Sequence, residues 1–140
     1  RAEIPYKLKF DVIILADVIE HLSNPASLFS EIDKIINNNT TVIVSVPNVA
    51  YFKTRASLLF GNWNYKDSGI LDRTHLRFFT YKTLSEFIKN IEYEIKDTYF
   101  THGLQTHSIY KLNFVRFLSD KITSLFPTLF ARQFVLILKK

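Results

Sequence analysis

Phe10-Asp-Val-Ile-Ile-Leu-Ala16 is the stretch on which the fold turns. It is a short apolar run rich in β-branched side chains. A strand with one wet face alternates in polarity, whereas a continuous run suits a strand covered on both faces, as in a parallel sheet. Thr41-Val-Ile-Val-Ser-Val46 repeats the pattern and is stopped by Pro47. Between the two, Pro25 suits a first helical turn behind Ser23 or Asn24 as cap. Leu28, Ile32, Ile35 and Ile36 then recur at helical spacing until Asn37-Asn-Asn39 ends the pattern. This strand, helix, strand unit is expected to be parallel and right-handed.

Further along, Val49 to Phe60 is expected to be helical, and Gly61 to Leu71 reads as an irregular loop. Thr80 is placed to cap a helix whose stripe is Thr83, Leu84, Phe87, Ile88 and Ile91. Tyr93 to Phe100 is a candidate strand. Ile109 to Phe126 is amphipathic, with Leu112, Val115, Leu118, Ile122 and Leu125 at threes and fours, and Pro127 ends it. A core-facing helix is the favoured explanation of that stripe. Gln133-Phe-Val-Leu-Ile-Leu138 is a last apolar strand. Alternating strands and helices indicate an open, mostly parallel α/β sheet in a single domain spanning residues 1–140. Ligands of such sheets sit beyond the carboxyl ends of the strands. That rule points to Ala16-Asp-Val18, to Ser45 through Asn48, and to whatever loop covers them.

Composition narrows the chemistry. With 140 residues, 47% hydrophobic and 22% charged, one core is expected. Cysteine is absent, which excludes disulfides, thiolate zinc sites and cysteine nucleophiles. Residues 1–70 carry seven basic and seven acidic side chains, and residues 71–140 carry eleven and six, so the net charge of +5 lies in the second half. The cations are scattered singly, which suits a solvated surface. The chain opens on Arg1 and holds no methionine, so it is expected to start downstream of a translation start. No apolar run approaches the ~20 residues that cross a bilayer, and a cytoplasmic location is expected.

Several stretches, in order, resemble the class I S-adenosylmethionine-dependent methyltransferase superfamily. They are Phe10 through Leu22, Asn24-Pro25, Ser45-Val-Pro-Asn48, Gly61-Asn-Trp-Asn-Tyr65 and Leu71-Asp-Arg-Thr-His-Leu-Arg-Phe-Phe-Thr80. The likeness covers roughly residues 8–100 and implies a partial Rossmann-like methyltransferase fold, the C-terminal portion of the domain, with flanking helices. It makes Phe10 to Leu22 the fourth strand and the loop passing the cofactor, and Thr41 to Val46 the fifth strand. Tyr93 to Phe100 becomes the sixth, and Gln133 to Leu138 the seventh, antiparallel between fifth and sixth. The implied cofactor is S-adenosylmethionine. The family grips it with a Gly-x-Gly turn after the first strand, but only Gly61, Gly69 and Gly103 occur here and no two form such a turn. A backbone that closely approaches the cofactor needs residues without Cβ, so the chain alone is expected to bind it weakly.

The resemblance implies that Asp17, Val18 and Glu20 line the cofactor. Glu20 and His21 equally suit the start of the following helix, and for His21 that structural role is favoured. His75, in Asp72-Arg-Thr-His-Leu-Arg77, is the candidate base or acceptor-orienting group, because imidazole titrates near neutrality. Alternatively it anchors the loop through a backbone hydrogen bond. Arg73 and Arg77 suit a substrate carboxylate or phosphate, or pairing with Asp72 or Asp67. Asn48 is a candidate substrate contact, or turn chemistry after Pro47. Trp63, Tyr65, Phe78 and Phe79 read as a lid or as loop anchors. His102 and His107 lie five apart near no carboxylate cluster, and no metal site is expected.

The expected activity is methyl transfer to a small-molecule or glycan-linked acceptor. The alternative is a binding or scaffold module that kept the fold and lost the chemistry. Aromatic and basic residues are not interleaved as nucleic-acid binding requires. Membrane-surface contact through Ile109 to Phe126 is a third, less favoured reading.

Overall fold

The computed structural model describes residues 8–102 and 111–140. His107 and the first two residues of the helix expected from Ile109 lie outside them. Strand β1 (Val12–Ala16) leads through a 3-10 turn (Ile19–His21) to helix α1 (Pro25–Ile32) and strand β2 (Thr41–Pro47). Helix α2 (Phe52–Leu59), a long loop and helix α3 (Tyr81–Asn90) precede strand β3 (Glu94–His102). Helices α4 (Asn113–Leu125) and α5 (Pro127–Phe130) lead into strand β4 (Ala131–Lys139).

The sheet order is β1-β2-β4-β3. β1 and β2 pair in parallel from Val12↔Thr41 to Ala16↔Ser45, as the strand, helix, strand reading requires. β4 runs antiparallel to both neighbours, so β1, β2 and β3 point one way and β4 returns between β2 and β3. The consequence is functional: the ends of β1 and β2 and the start of β4 come together at one rim.

Packing differs from the expectation of strands covered on both faces. Leu15, Val42, Val44, Val46, Phe134, Leu136 and Leu138 form one buried face with Phe29 and Ile32 of α1 and Leu84 and Ile88 of α3. The alternate residues face the other way, and Val12 and Ile14 are 51% and 64% exposed. Among the described residues β1 is an edge strand, so its unbroken apolar run supplies a buried row and an uncovered one.

The helices begin and end for local reasons. α1 stops at Ile32, four residues short of the expected end. There Asn37 and Thr40 close a turn, Thr40 Oγ1 accepting from the Asn37 amide at 2.9 Å and Asn37 Oδ1 from the Asn39 amide at 2.8 Å. Such side-chain bonds compete with the helix ladder. α3 starts where expected: Thr80 and Thr83 satisfy each other's backbone amides in a reciprocal cap. α4 turns Val115, Ser119, Ile122 and Thr123 toward the body of the protein. Leu112, Leu118 and Leu125 of the expected stripe are 59%, 45% and 63% exposed, which corrects the reading of the whole stripe as core-facing, and Phe114 and Phe117 point outward beside them. No helix of the described residues is long and apolar enough to cross a membrane.

Candidate active site

The loop of residues 61–80 folds back over the strand ends. Gly61 takes φ 75° just past α2, and its amide returns to Leu58 O at 2.9 Å, a helix stop that favours glycine. The loop then closes a small ladder, with Lys66 N on Leu71 O at 2.9 Å and Arg73 N on Lys66 O at 3.0 Å. Phe79, 7% exposed, enters the core, and Trp63 packs edge-on against Phe78 at 5.4 Å. These aromatics anchor the loop; Tyr65 stays exposed.

The Asp72 to Arg77 segment is tied down over the 3-10 turn. Leu76 N and Arg77 N both donate to Glu20 O, at 2.8 and 2.9 Å, and the Arg77 guanidinium donates to Ser23 O. Arg73 pairs with Asp67 at 2.7 Å in the open. Both arginines therefore serve the loop in this state. Asp72 accepts from the Thr74 hydroxyl at 2.6 Å and the Thr74 amide at 2.8 Å. Those bonds, before the weaker pull of His75 and His21, hold its carboxyl below the usual range.

Beneath that segment lies a cleft of about 410 Å³, lined among others by Asp17, His21, Asp72, His75, Arg132 and Gln133. Asp17 stands at the tip of β1 with φ 53°, a left-handed conformation that Asp tolerates better than most residues. Its Oδ1 accepts from Ser45 Oγ at 3.2 Å and Gln133 Nε2 at 2.5 Å, tying three strand tips into one polar floor. Ser45 lies in the stretch to which the strand-end rule points; Gln133 was not singled out, because its bond to Asp17 joins residues 116 positions apart in the chain. Val18 packs against the core and accepts from His21 N at 3.1 Å, so it shapes the wall through its backbone.

Glu20, expected at the cofactor, turns inward instead: it is 1% exposed, and among the described residues neither carboxylate oxygen has a hydrogen-bond partner. Burial pushes its carboxyl up to about 7. His21 is not at the start of a helix. Its Nδ1 lies 3.2 Å from Thr74 O and 3.1 Å from Thr74 Oγ1, across the cleft. His75 Nδ1 lies 3.2 Å from Ile70 O, the backbone anchor considered from sequence, and its ring meets that of His21 edge-on at 4.7 Å. A carbonyl only accepts, so in a neutral ring these contacts place the proton on Nδ1 and leave Nε2 as the lone pair. Glu20, His21 and His75 each offer a ligand atom within 4.8 Å of the others.

Asn48 corrects another expectation. Its side chain is wholly buried, donating to Ala131 O at 2.8 Å and Thr128 O at 3.1 Å and accepting from Ala50 N at 2.9 Å. It fastens the end of β2 to the start of β4 in place of meeting a substrate.

A second cleft of about 380 Å³ adjoins the first through Gly69, Ile70 and Arg132. Lys53, Lys66 and Arg132 line it with no carboxylate among its lining residues. Gly69 adopts φ 91°, and a Cβ there would come within 3.7 Å of the Arg132 guanidinium. His102, at the end of β3, also lines the first cleft, its Nε2 paired with Asp120 of α4 at 2.6 Å.

The comparisons agree with this architecture. A family model described as a methyltransferase domain matches residues 2–97. No curated protein sequence matches the chain. Among solved structures, a SAM-dependent methyltransferase from Archaeoglobus fulgidus is 18% identical with a TM-score of 0.51, over 94% of this chain and 60% of that one. One from Thermotoga maritima is 15% identical with a TM-score of 0.55, over 99% of this chain and 59% of that one. The chain thus spans about three fifths of the length of these relatives in fold. With its sheet order and the family match over most of its length, this chain belongs to the methyltransferase-domain family and has the class I S-adenosylmethionine-dependent methyltransferase fold in part.

Proposed function

We propose that the protein transfers a methyl group from S-adenosylmethionine to a small-molecule or glycan-linked acceptor that carries an anionic group. The observation that carries the reading is the convergence of the β1 and β2 tips and the Asp72 to Arg77 segment on one cleft beside a second whose charged residues, among the described ones, are all cations.

The residues present fit one wall of the cofactor's site. The left-handed turn at Asp17 leaves the rim open, and Asp17 and Val18 would flank the cofactor there. The glycine turn that completes such a site in the family does not occur in this chain. When bound, the cofactor supplies a methyl group on a positively charged sulfur, so the protein's work is alignment and exclusion of water. The loop anchored by Phe79 and by the Glu20 carbonyl roofs the cleft and keeps His75 over the acceptor. Lys53, Lys66 and Arg132 draw in the acceptor's anionic end. A cytoplasmic enzyme suits a freely diffusing substrate of this kind.

The test is transfer of labelled methyl groups by the full-length protein to paired acceptors with and without a phosphate or carboxylate. Lys53→Ala and Arg132→Ala should each raise KM for the anionic acceptor about tenfold, the loss of one charge-assisted contact, with S-adenosylhomocysteine affinity unchanged. Equal effects on neutral and anionic acceptors would remove the anionic assignment, and absence of transfer would remove the activity.

A second reading concerns α4, whose Phe114 and Phe117 are exposed beside Lys111, Arg116 and Lys121. That composition suits an anionic bilayer surface. Co-sedimentation with anionic but not neutral vesicles, lost in Phe114→Ser/Phe117→Ser, supports it; no co-sedimentation removes it.

A further inference from the structure

A carboxylate sealed from water with neither oxygen hydrogen-bonded is costly unless it is protonated or meets a cation. Glu20 is such a group. Two imidazoles, those of His21 and His75, offer nitrogens within 4.8 Å of it. His21 Nδ1 is turned to Thr74 O and His75 Nδ1 to Ile70 O, contacts that in a neutral imidazole leave Nε2 as the lone pair. Metal-binding histidines are held in the same way, one ring nitrogen fixed by a backbone carbonyl and the other left as ligand.

We infer that Glu20, His21 and His75 form a binding site for a divalent cation at the edge of the cleft, one carboxylate oxygen and two imidazole nitrogens serving as ligands. Their ligand atoms lie within 4.8 Å of one another, and donors about 2.1 Å from one ion stand roughly 3–4 Å apart, so a small side-chain movement closes the site on a cation. Asp17 lines the same cleft and its charge acts on Glu20, so the surroundings favour a cation further. A mixed nitrogen and oxygen donor set without sulfur selects ions such as Mn²⁺, Co²⁺ or Zn²⁺. Three protein ligands leave positions for water and for an oxygen of the acceptor. Cation binding is independent of the methyl-transfer reading; the use of the ion to hold the acceptor rests on it. The metal-free expectation came from His102 and His107 alone. Sequence separation hid the site that is formed, since His21 and His75 are brought together only by the loop folding back.

The experiment is titration of the chelator-treated full-length protein with Co²⁺, read by visible absorption, and with Mn²⁺, read by electron paramagnetic resonance. One equivalent should bind, and Glu20→Gln and His75→Ala should each weaken binding at least about tenfold. Circular dichroism establishes that Glu20→Gln is folded, and His75, on a half-buried loop, provides a variant that leaves the core untouched. Glu86→Gln, an exposed carboxylate of α3 away from the cleft, should bind the ion as the wild type does. No uptake at millimolar Co²⁺ or Mn²⁺, or loss of uptake in Glu86→Gln with retention in the other two, overturns the site. S-adenosylhomocysteine binding is measured on the same samples. Binding of that ligand without metal uptake defeats this inference alone, and metal uptake without it defeats the transferase reading alone.

Discussion

At the scale of single residues, burial decides what a polar side chain can do. Asn48 spends both amide hydrogens and its carbonyl on the backbone. Asn48→Ala strands those partners inside the protein and should destabilise it by about 2–4 kcal/mol in urea unfolding, a cost of unpaired buried groups. Glu20 gives a sign that can be checked. Its carboxyl, ordinarily at 4.5, is pushed up to about 7 by burial, so the folded metal-free protein keeps a proton that the unfolded chain has released. The contribution of Glu20 to stability should be greatest below pH 4.5 and fall by about 3 kcal/mol as pH rises through 7. Measured with a chelator present, Glu20→Gln should flatten that slope; an unchanged slope would mean that other groups set it. Asp17 and His75 were legible as cleft residues because they sit at positions the strand pattern and the resemblance mark. The inward turn of Glu20 and the polar floor of Ser45 and Gln133 were not, since both depend on pairings between residues far apart in sequence.

At the scale of elements, local signals worked where they were local. The Thr80 cap was readable because its partner is three residues away, and the structure closes it in both directions. Thr80→Ala should cost about 1 kcal/mol in thermal unfolding, and Thr80→Ser should restore most of it. The end of α1 was misjudged because Ile35 keeps the apolar spacing after the helix has stopped, buried by a turn instead. The faces of α4 could not be assigned either: its stripe is the same whether it faces a core or solvent. What holds α4 is polar, the pairing of His102 with Asp120 against the end of β3. Asp120→Ala should therefore speed amide exchange in α4 severalfold while β2 and β4 stay protected; uniform loss of protection would show that α4 belongs to the global unfolding unit.

At the scale of the molecule, three strands pointing one way and a fourth returning between them bring distant segments to one rim. The parallel pairing of β1 with β2 and the antiparallel last strand were legible from apolar runs and resemblance. Coverage of the sheet was not, because Val12 and Ile14 read as core and stand exposed in a chain that spans about three fifths of its structural relatives. The central claim is that the rim at Asp17 and Val18, roofed by the segment from Asp72 to Arg77, is where cofactor and acceptor meet. Amide chemical shifts of the full-length protein during titration with S-adenosylhomocysteine test it most directly. The account predicts saturable shifts at Asp17, Val18 and His75, with α3 and α4 still. Saturable binding that leaves those three amides unmoved would contradict it.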